Sequence, residues 1–179
     1  MKVYLAADMA GTAGVSIWDQ VDPRHSKYQS ARRWLTQEVN AAADGAFAAG
    51  VELVIVHDLH GTRHNLDLDL LDRRVEAVMG TGPSPWAELD SSFEVMLLVG
   101  AHARVGTPDA CLRHTWRADD WVDFRIQGRT MGEIGLYAAG AGDLGVPCAL
   151  VTGDDKACTE AARLIPGIVQ APVKKGLGG

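Results

Sequence analysis

The chain has 179 residues, 47% of them hydrophobic and 22% charged, with a formal net charge of −6. That length holds one ordinary domain or two small interlocked ones, and the balance excludes a disordered, collagen-like or coiled-coil chain. An acidic excess without a basic run argues against a nucleic-acid partner, and the longest apolar stretch, Glu94 to Gly100, is far too short to cross a bilayer.

Asp8 interrupts the N-terminal apolar run too early for a signal peptide. The three cysteines, Cys111, Cys148 and Cys158, form no CxxC pair. A reduced, cytoplasmic protein with buried thiols is therefore expected.

In chain order, the first predicted strand covers residues 2–7 and ends at Asp8, followed by the loop Gly11-Thr12-Ala13-Gly14. A helix is predicted over residues 31–49, with Ser30 as its N-cap and Gly50 closing it. Trp34, Leu35, Val39, Ala42, Ala46 and Ala49 would form its apolar stripe. The second strand, residues 53–56, runs into His57-Asp58-Leu59-His60. A loop spans residues 80–85. The third strand, residues 95–99, runs into Gly100-Ala101-His102.

Residues 121–127, followed by Gly128-Arg129, predict an added strand and a tight turn. A helix over residues 132–144 has Gly145 past its end. The fourth strand, residues 149–151, precedes Thr152-Gly153-Asp154-Asp155. The last helix, residues 156–165, would be capped by Asp154 or Asp155 and stopped by Pro166. Short Val/Ile/Leu-rich runs alternating with helices predict a layered α/β/α domain with a mostly parallel, mixed sheet.

In such sheets ligands bind beyond the carboxyl ends of the strands. Asp8, His60 and His102 come from three different strand ends to that one edge. Carboxylate plus imidazole suits Zn²⁺, with Mn²⁺ and Co²⁺ as other candidates, and needs at least one more ligand. Taken singly, each residue also has a plain reading. Asp8 fits a turn residue and each histidine a hydrogen-bonded spectator. Glu133 fits a first-turn acid facing the helix dipole, and His114 a surface or packing histidine.

Asp58 could orient the His60 ring, as metal-bound histidines require. His57 and His64 sit at loop positions without ligand spacing, and His25 reads as solvated. Arg104 fits either an anionic substrate group or an ion pair. The Gly11–Gly14 loop could cradle a phosphate, but it lacks the GxGxxG spacing and the Walker lysine.

Several stretches together resemble the D-aminopeptidase family of zinc metallopeptidases. They are Asp8-Met9-Ala10-Gly11, Asp58-Leu59-His60, Gly100-Ala101-His102-Ala103-Arg104, Thr107-Pro108, Arg113-His114-Thr115, Gly132-Glu133-Ile134-Gly135-Leu136 and Gly153-Asp154-Asp155, in the family's order. The resemblance implies a cytoplasmic peptidase acting on short peptides with D-residues, such as D-Ala-D-Ala. It also implies two Zn²⁺ ions at one site and a homo-oligomeric, decameric ring. By motif it places Asp8, His60, His102 and Glu133 at metal-ligand positions and His114 at the catalytic position.

The sequence departs from that pattern at Ala10, where the family has a glutamate. If positions 8 and 10 face the same way, as on a strand, one metal loses a ligand. The expected outcomes are two metals with one held weakly, a single metal with altered hydrolysis, or an inactive relative that binds peptide or serves as an assembly subunit. The ending Lys174-Lys175-Gly176-Leu177-Gly178-Gly179 does not read as the close of a finished fold. Against the family it implies a single metal-site domain, residues 1–179, without the C-terminal region.

Overall fold

Alternate residues of the central strands face opposite layers. In β1 (Lys2–Ala7), Val3, Leu5 and Ala7 join one buried cluster, while Tyr4 and Ala6 join another. The same division runs through β2 (Leu53–Asp58), where Val54 and Val56 go one way and Ile55 the other. A strand buried on both faces needs apolar residues at nearly every position, which accounts for the unbroken runs in the sequence.

In the computed structural model, which describes residues 1–80, 82 and 84–177, these strands lie in a six-stranded sheet. Its other members are β3 (Val75–Val78), β4 (Val95–Ala101), β7 (Cys148–Asp154) and β8 (Val169–Lys174). The order is β3-β2-β1-β4-β7-β8, and each of these pairings is parallel. Helix α1 (Tyr28–Ala48) packs Leu35, Val39 and Ala43 on the Val3/Leu5 face. Helices α2 (Glu133–Asp143) and α3 (Asp155–Leu164) pack Ile134, Tyr137, Ala157 and Ala161 on the other. The α/β/α layering is thus as expected.

Helix α1 begins earlier than its sequence suggests. Ser30 lies inside its first turn, and Tyr28 anchors the start by donating its hydroxyl to Asn65 Oδ1 at 2.6 Å. Its end follows the glycine signal: Gly50 stands at φ +85, its N–H donates to Phe47, and Val51 donates back to Ala46. Asp154 caps α3, accepting the N–H groups of Lys156 and Ala157 at 3.1 and 2.7 Å.

Residues 121–127 do not add a strand to the main sheet. They contribute only β5 (Arg125–Ile126), which pairs antiparallel with β6 (Arg129–Thr130) in a separate hairpin, so the antiparallel element stands apart from the sheet. Strands β3 and β8 carry no strong sequence signal. Both are edge strands, one with the sequence VEAV and the other interrupted by Pro172, a residue tolerated at sheet edges. Within the expected 80–85 loop, Thr81 and Pro83 lie outside the described residues, as do Gly178 and Gly179 of the C-terminal stretch.

The order of the strands reverses between β1 and β4, and there the strand ends come unusually close. The Gly11 N–H donates to the Gly100 carbonyl at 2.7 Å. A Cβ on Gly11 would lie 1.9 Å from the Ala101 carbonyl oxygen; one on Gly100, itself at φ +70, would lie 2.0 Å from that of Asp8. The β4/β7 register also shifts between Leu98 and Ala101, the kind of bulge that re-aims a following side chain.

From the far edge, β8 reaches back to this point. The Lys174 ammonium donates to the carbonyls of Ala10, Thr12 and Val15 at 2.6, 3.1 and 2.6 Å. Among the described residues no helix is long and apolar enough to cross a membrane.

Two glycine substitutions separate close approach from helix propensity. Gly45, on α1, has nothing within 4 Å of an added Cβ. Gly45→Ala should therefore stabilise the chain by about 0.5–1 kcal/mol. Gly11→Ala should destabilise it by about 1–3 kcal/mol or more through overpacking. Thermal unfolding of the two variants beside the parent checks both signs.

Candidate metal centre

Asp8 is the first residue beyond β1, and its two carboxylate oxygens face different histidines. Oδ1 lies 3.0 Å from His60 Nδ1, while Oδ2 lies 3.6 Å from His102 Nε2. His60 comes from the loop after β2, and His102 directly follows β4. Glu133, at the start of α2, brings Oε1 to 3.2 Å from the same His102 Nε2 and also accepts the Trp116 N–H at 2.7 Å. The His114 ring stacks on His102 with centroids 3.7 Å apart and planes 12° apart. Donor atoms of His102, His114 and Glu133 all lie within 4.8 Å of one another. All five residues singled out from the sequence therefore meet at the switch point between β1 and β4, where ligands of open parallel sheets bind.

The outer ring nitrogens fix how the imidazoles present themselves. A carbonyl can only accept, so His60 donates Nε2–H to Val21 at 2.9 Å. His102 donates Nδ1–H to Ala103 at 3.0 Å, and His114 donates Nδ1–H to Leu112 at 2.7 Å. Each ring is left with one nitrogen for the centre, the arrangement that second partners impose on metal-ligating histidines. At His60 Nδ1 and His102 Nε2 that nitrogen faces a carboxylate oxygen. Lone pairs facing lone pairs repel unless a proton or a metal cation lies between them, so this donor set fits a borderline divalent metal such as zinc.

The electrostatics point the same way. Burial opposes a charged His102, but Glu133 and Asp8 outweigh it and push its pKa up to about 9. Burial would raise the Asp8 carboxyl, yet His60 and His102 hold it well below the usual carboxylate range. Burial and the neighbouring His102 charge both lower His114. The centre is thus a buried negative focus that calls for positive charge. Leu112 and Trp116, on either side of His114, stand at φ +44 and +57. Non-glycine residues pay for left-handed backbone, and such strain concentrates at functional sites.

Several other candidates take different places. Asp58 is buried and accepts the backbone N–H groups of His60, Asn65 and Leu66, so it shapes the loop rather than touching the His60 ring. His57 is not in a loop: it lies within β2, buried, with Nδ1 2.8 Å from the Tyr4 hydroxyl. His64 and His25 are exposed. Arg104 donates to the Val105 carbonyl. The N–H groups of Gly11, Thr12 and Ala13 are spent on Gly100, Met9 and Glu38, so they offer no phosphate cradle.

Position 10 is not placed by strand alternation, because β1 ends at Ala7 and residues 9–14 run through turns. Ala10 is nevertheless against the centre: it is fully buried and its N–H donates to Asp8 Oδ2 at 3.3 Å.

Sequence reading missed the Val21 carbonyl behind His60 and the ammonium of Lys174 beneath the glycine loop. It also missed Trp18 as a site neighbour, packed edge-on against His114 at 5.4 Å. Backbone carbonyls leave no residue-type signature, and Trp18 reads equally as core or interface.

The fold and the carboxylate–imidazole cluster at its switch point define an α/β protein with a candidate metal centre. The family model Peptidase_M55, D-aminopeptidase, matches residues 1–179. A D-aminopeptidase of Bacillus subtilis (strain 168) is 35% identical over 184 residues, covering 98% of this chain and 64% of that relative. The solved structure of the Zn-dependent D-aminopeptidase DppA from Bacillus subtilis, described as a self-compartmentalizing protease, superposes with a TM-score of 0.95 at 34% identity. It covers 99% of this chain and 65% of that one. The chain belongs to the D-aminopeptidase family, and it spans just under two thirds of the length of these relatives.

Asp58→Ala would leave the N–H groups of His60, Asn65 and Leu66 without their buried acceptor. At about 1–3 kcal/mol for each donor left unpaired, urea unfolding should show a stability loss of at least the value for one donor, read as a lower midpoint at an unchanged m-value.

Proposed function

We propose that residues 1–179 form one α/β domain of a zinc-dependent hydrolase that cleaves short peptides containing D-residues, such as D-Ala-D-Ala. The observation that carries this reading is the Asp8 carboxylate, with one oxygen turned to His60 and the other to His102. A carboxylate so placed would offer one ligand oxygen beside each histidine. In this reading Asp8, His60, His102 and Glu133 hold the metal, and His114 is the catalytic residue. Bound zinc supplies Lewis-acid polarisation of the scissile carbonyl and a water whose pKa is near neutral. His114 keeps Nδ1–H committed to Leu112, so Nε2 is the atom that takes up and returns the proton.

The two halves are unequal. Around His102 stand Asp8 Oδ2, Glu133 and His114; at the His60 ring nitrogens, Asp8 Oδ1 is the one carboxylate oxygen within 4.0 Å among the described residues, Asp58 meeting only the backbone N–H. Ala10, whose N–H lies on Asp8 Oδ2, adds no side-chain ligand to either half. We therefore read the His60 half as the weak metal position. This supports the second reading, a relative that binds peptide or serves as an assembly subunit without turnover. We extend the proposal to a cytoplasmic homo-oligomer, a decameric ring, in line with the description of the structural relative as self-compartmentalizing. Neither a nucleic-acid nor a membrane partner is included.

Metal analysis of the purified chain, with hydrolysis of D-Ala-D-Ala under added Zn²⁺, Mn²⁺ or Co²⁺, tests the proposal. Metal-dependent turnover is expected, falling about 10²–10⁴-fold in His114→Ala. Ala10→Glu should raise both the zinc bound per chain and the rate. Absence of metal-dependent hydrolysis in the parent and in Ala10→Glu would overturn the enzymatic reading in favour of the non-catalytic one.

A further inference from the structure

Two clefts flank the centre, and their charges differ in availability. One, of 380 Å³, lies beside α3 and includes Arg104, Lys156 and Arg163. Its charges are mixed: Arg104 Nη1 donates to Val105 at 2.9 Å, Lys156 pairs with Asp155 at 2.6 Å, and the Glu160 carboxylate shares the lining with Arg163. The other, of 430 Å³, is lined by Ile17, Trp18, Ala110, Cys111, Leu112 and Arg113, with Ser16 at its rim. Two of its lining residues, Trp18 and Leu112, contact His114. Trp18 packs edge-on against His114, and the Leu112 carbonyl accepts the His114 Nδ1 proton.

The walls of this second cleft are apolar, with Ile17 and Trp18 41% and 48% exposed. Arg113 is its one charged lining residue. The Arg113 side chain is exposed and enters no ion pair or hydrogen bond among the described residues. A lone cation among apolar walls beside His114 suits a group that is apolar with one anionic end, such as the C-terminal residue of a short peptide with its carboxylate toward the guanidinium.

We infer, resting on the proposed peptidase reading, that this cleft is the subsite for the residue released by cleavage, and that Arg113 binds the free C-terminal carboxylate of the substrate. The selection it adds is for an apolar residue that ends in a free carboxylate. The guanidinium fork takes a carboxylate in two parallel hydrogen bonds, which an amide cannot match. Arg113 is a specificity residue here, one position from His114 but outside the ligand set.

The test uses a non-cleavable D-Ala-D-Ala analogue with its peptide bond reduced, prepared as free acid and as C-terminal amide. Both are titrated calorimetrically into the zinc-loaded chain and into Arg113→Gln and Arg113→Lys. D-Ala-D-Ala hydrolysis is followed in parallel. The parent should favour the acid by about 10–100-fold, the range of a charged hydrogen-bonded contact. Arg113→Gln should bind acid and amide alike, and Arg113→Lys should keep part of the preference.

Equal binding of acid and amide by the parent, binding of neither, or a preference that survives Arg113→Gln overturns the inference. An Arg113-dependent preference without hydrolysis sustains this subsite and defeats the enzymatic reading. Hydrolysis with no such preference does the reverse.

Discussion

The structure turns on the contact between the ends of β1 and β4. Gly11 and Gly100 let the two backbones meet with no intervening side chain, and that meeting places Asp8 beside His102. With any larger residue at either position the strands would have to separate, and the Asp8 carboxylate could no longer face both His60 and His102. The α/β/α layers supply the rigidity for this. Strands buried on both faces cannot tilt independently, so a shift at the crevice would have to propagate through a packed interior.

The centre is held in place by contacts of the chain itself. Three imidazoles have their outer N–H groups committed to the carbonyls of Val21, Ala103 and Leu112, and two half-buried carboxylates stand among them. Such an arrangement is costly for the folded chain, because like charges and aligned lone pairs are gathered away from water. A cation relieves that cost, so part of the affinity of such a centre is energy stored in its geometry. The left-handed backbone at Leu112 and Trp116 belongs to the same store.

Much of this was legible in the sequence, for identifiable reasons. Apolar runs that stop at Asp8, His60 and His102 announce strand ends, and parallel topology gathers strand ends at one edge. Gly50, Gly145 and Asp154 mark helix ends through local backbone chemistry. Glu133 and His114 carried no such signal, since a first-turn acid and a loop histidine have commoner roles; motif resemblance alone singled them out. What stayed hidden depends on long-range contact. Val21 meets His60 across 39 positions, and Ala10 meets Lys174 across 164. The edge strands β3 and β8 were missed because they bury too little to need an apolar run, and the 121–130 segment was overread because a strand-like composition supports an isolated hairpin equally well.

The Lys174 ammonium joins the last strand of the sheet to the loop that follows the first. Contacts of such sequence separation form late, after most loop-closure entropy has been overcome. On a ribosome, the loop beside Asp8 would lack its clamp until nearly all 179 residues had been synthesised. The loop that follows Asp8 is therefore completed only after Lys174 has emerged, and a nascent segment that carries Asp8 and His60 alone would be a poor trap for metal ions.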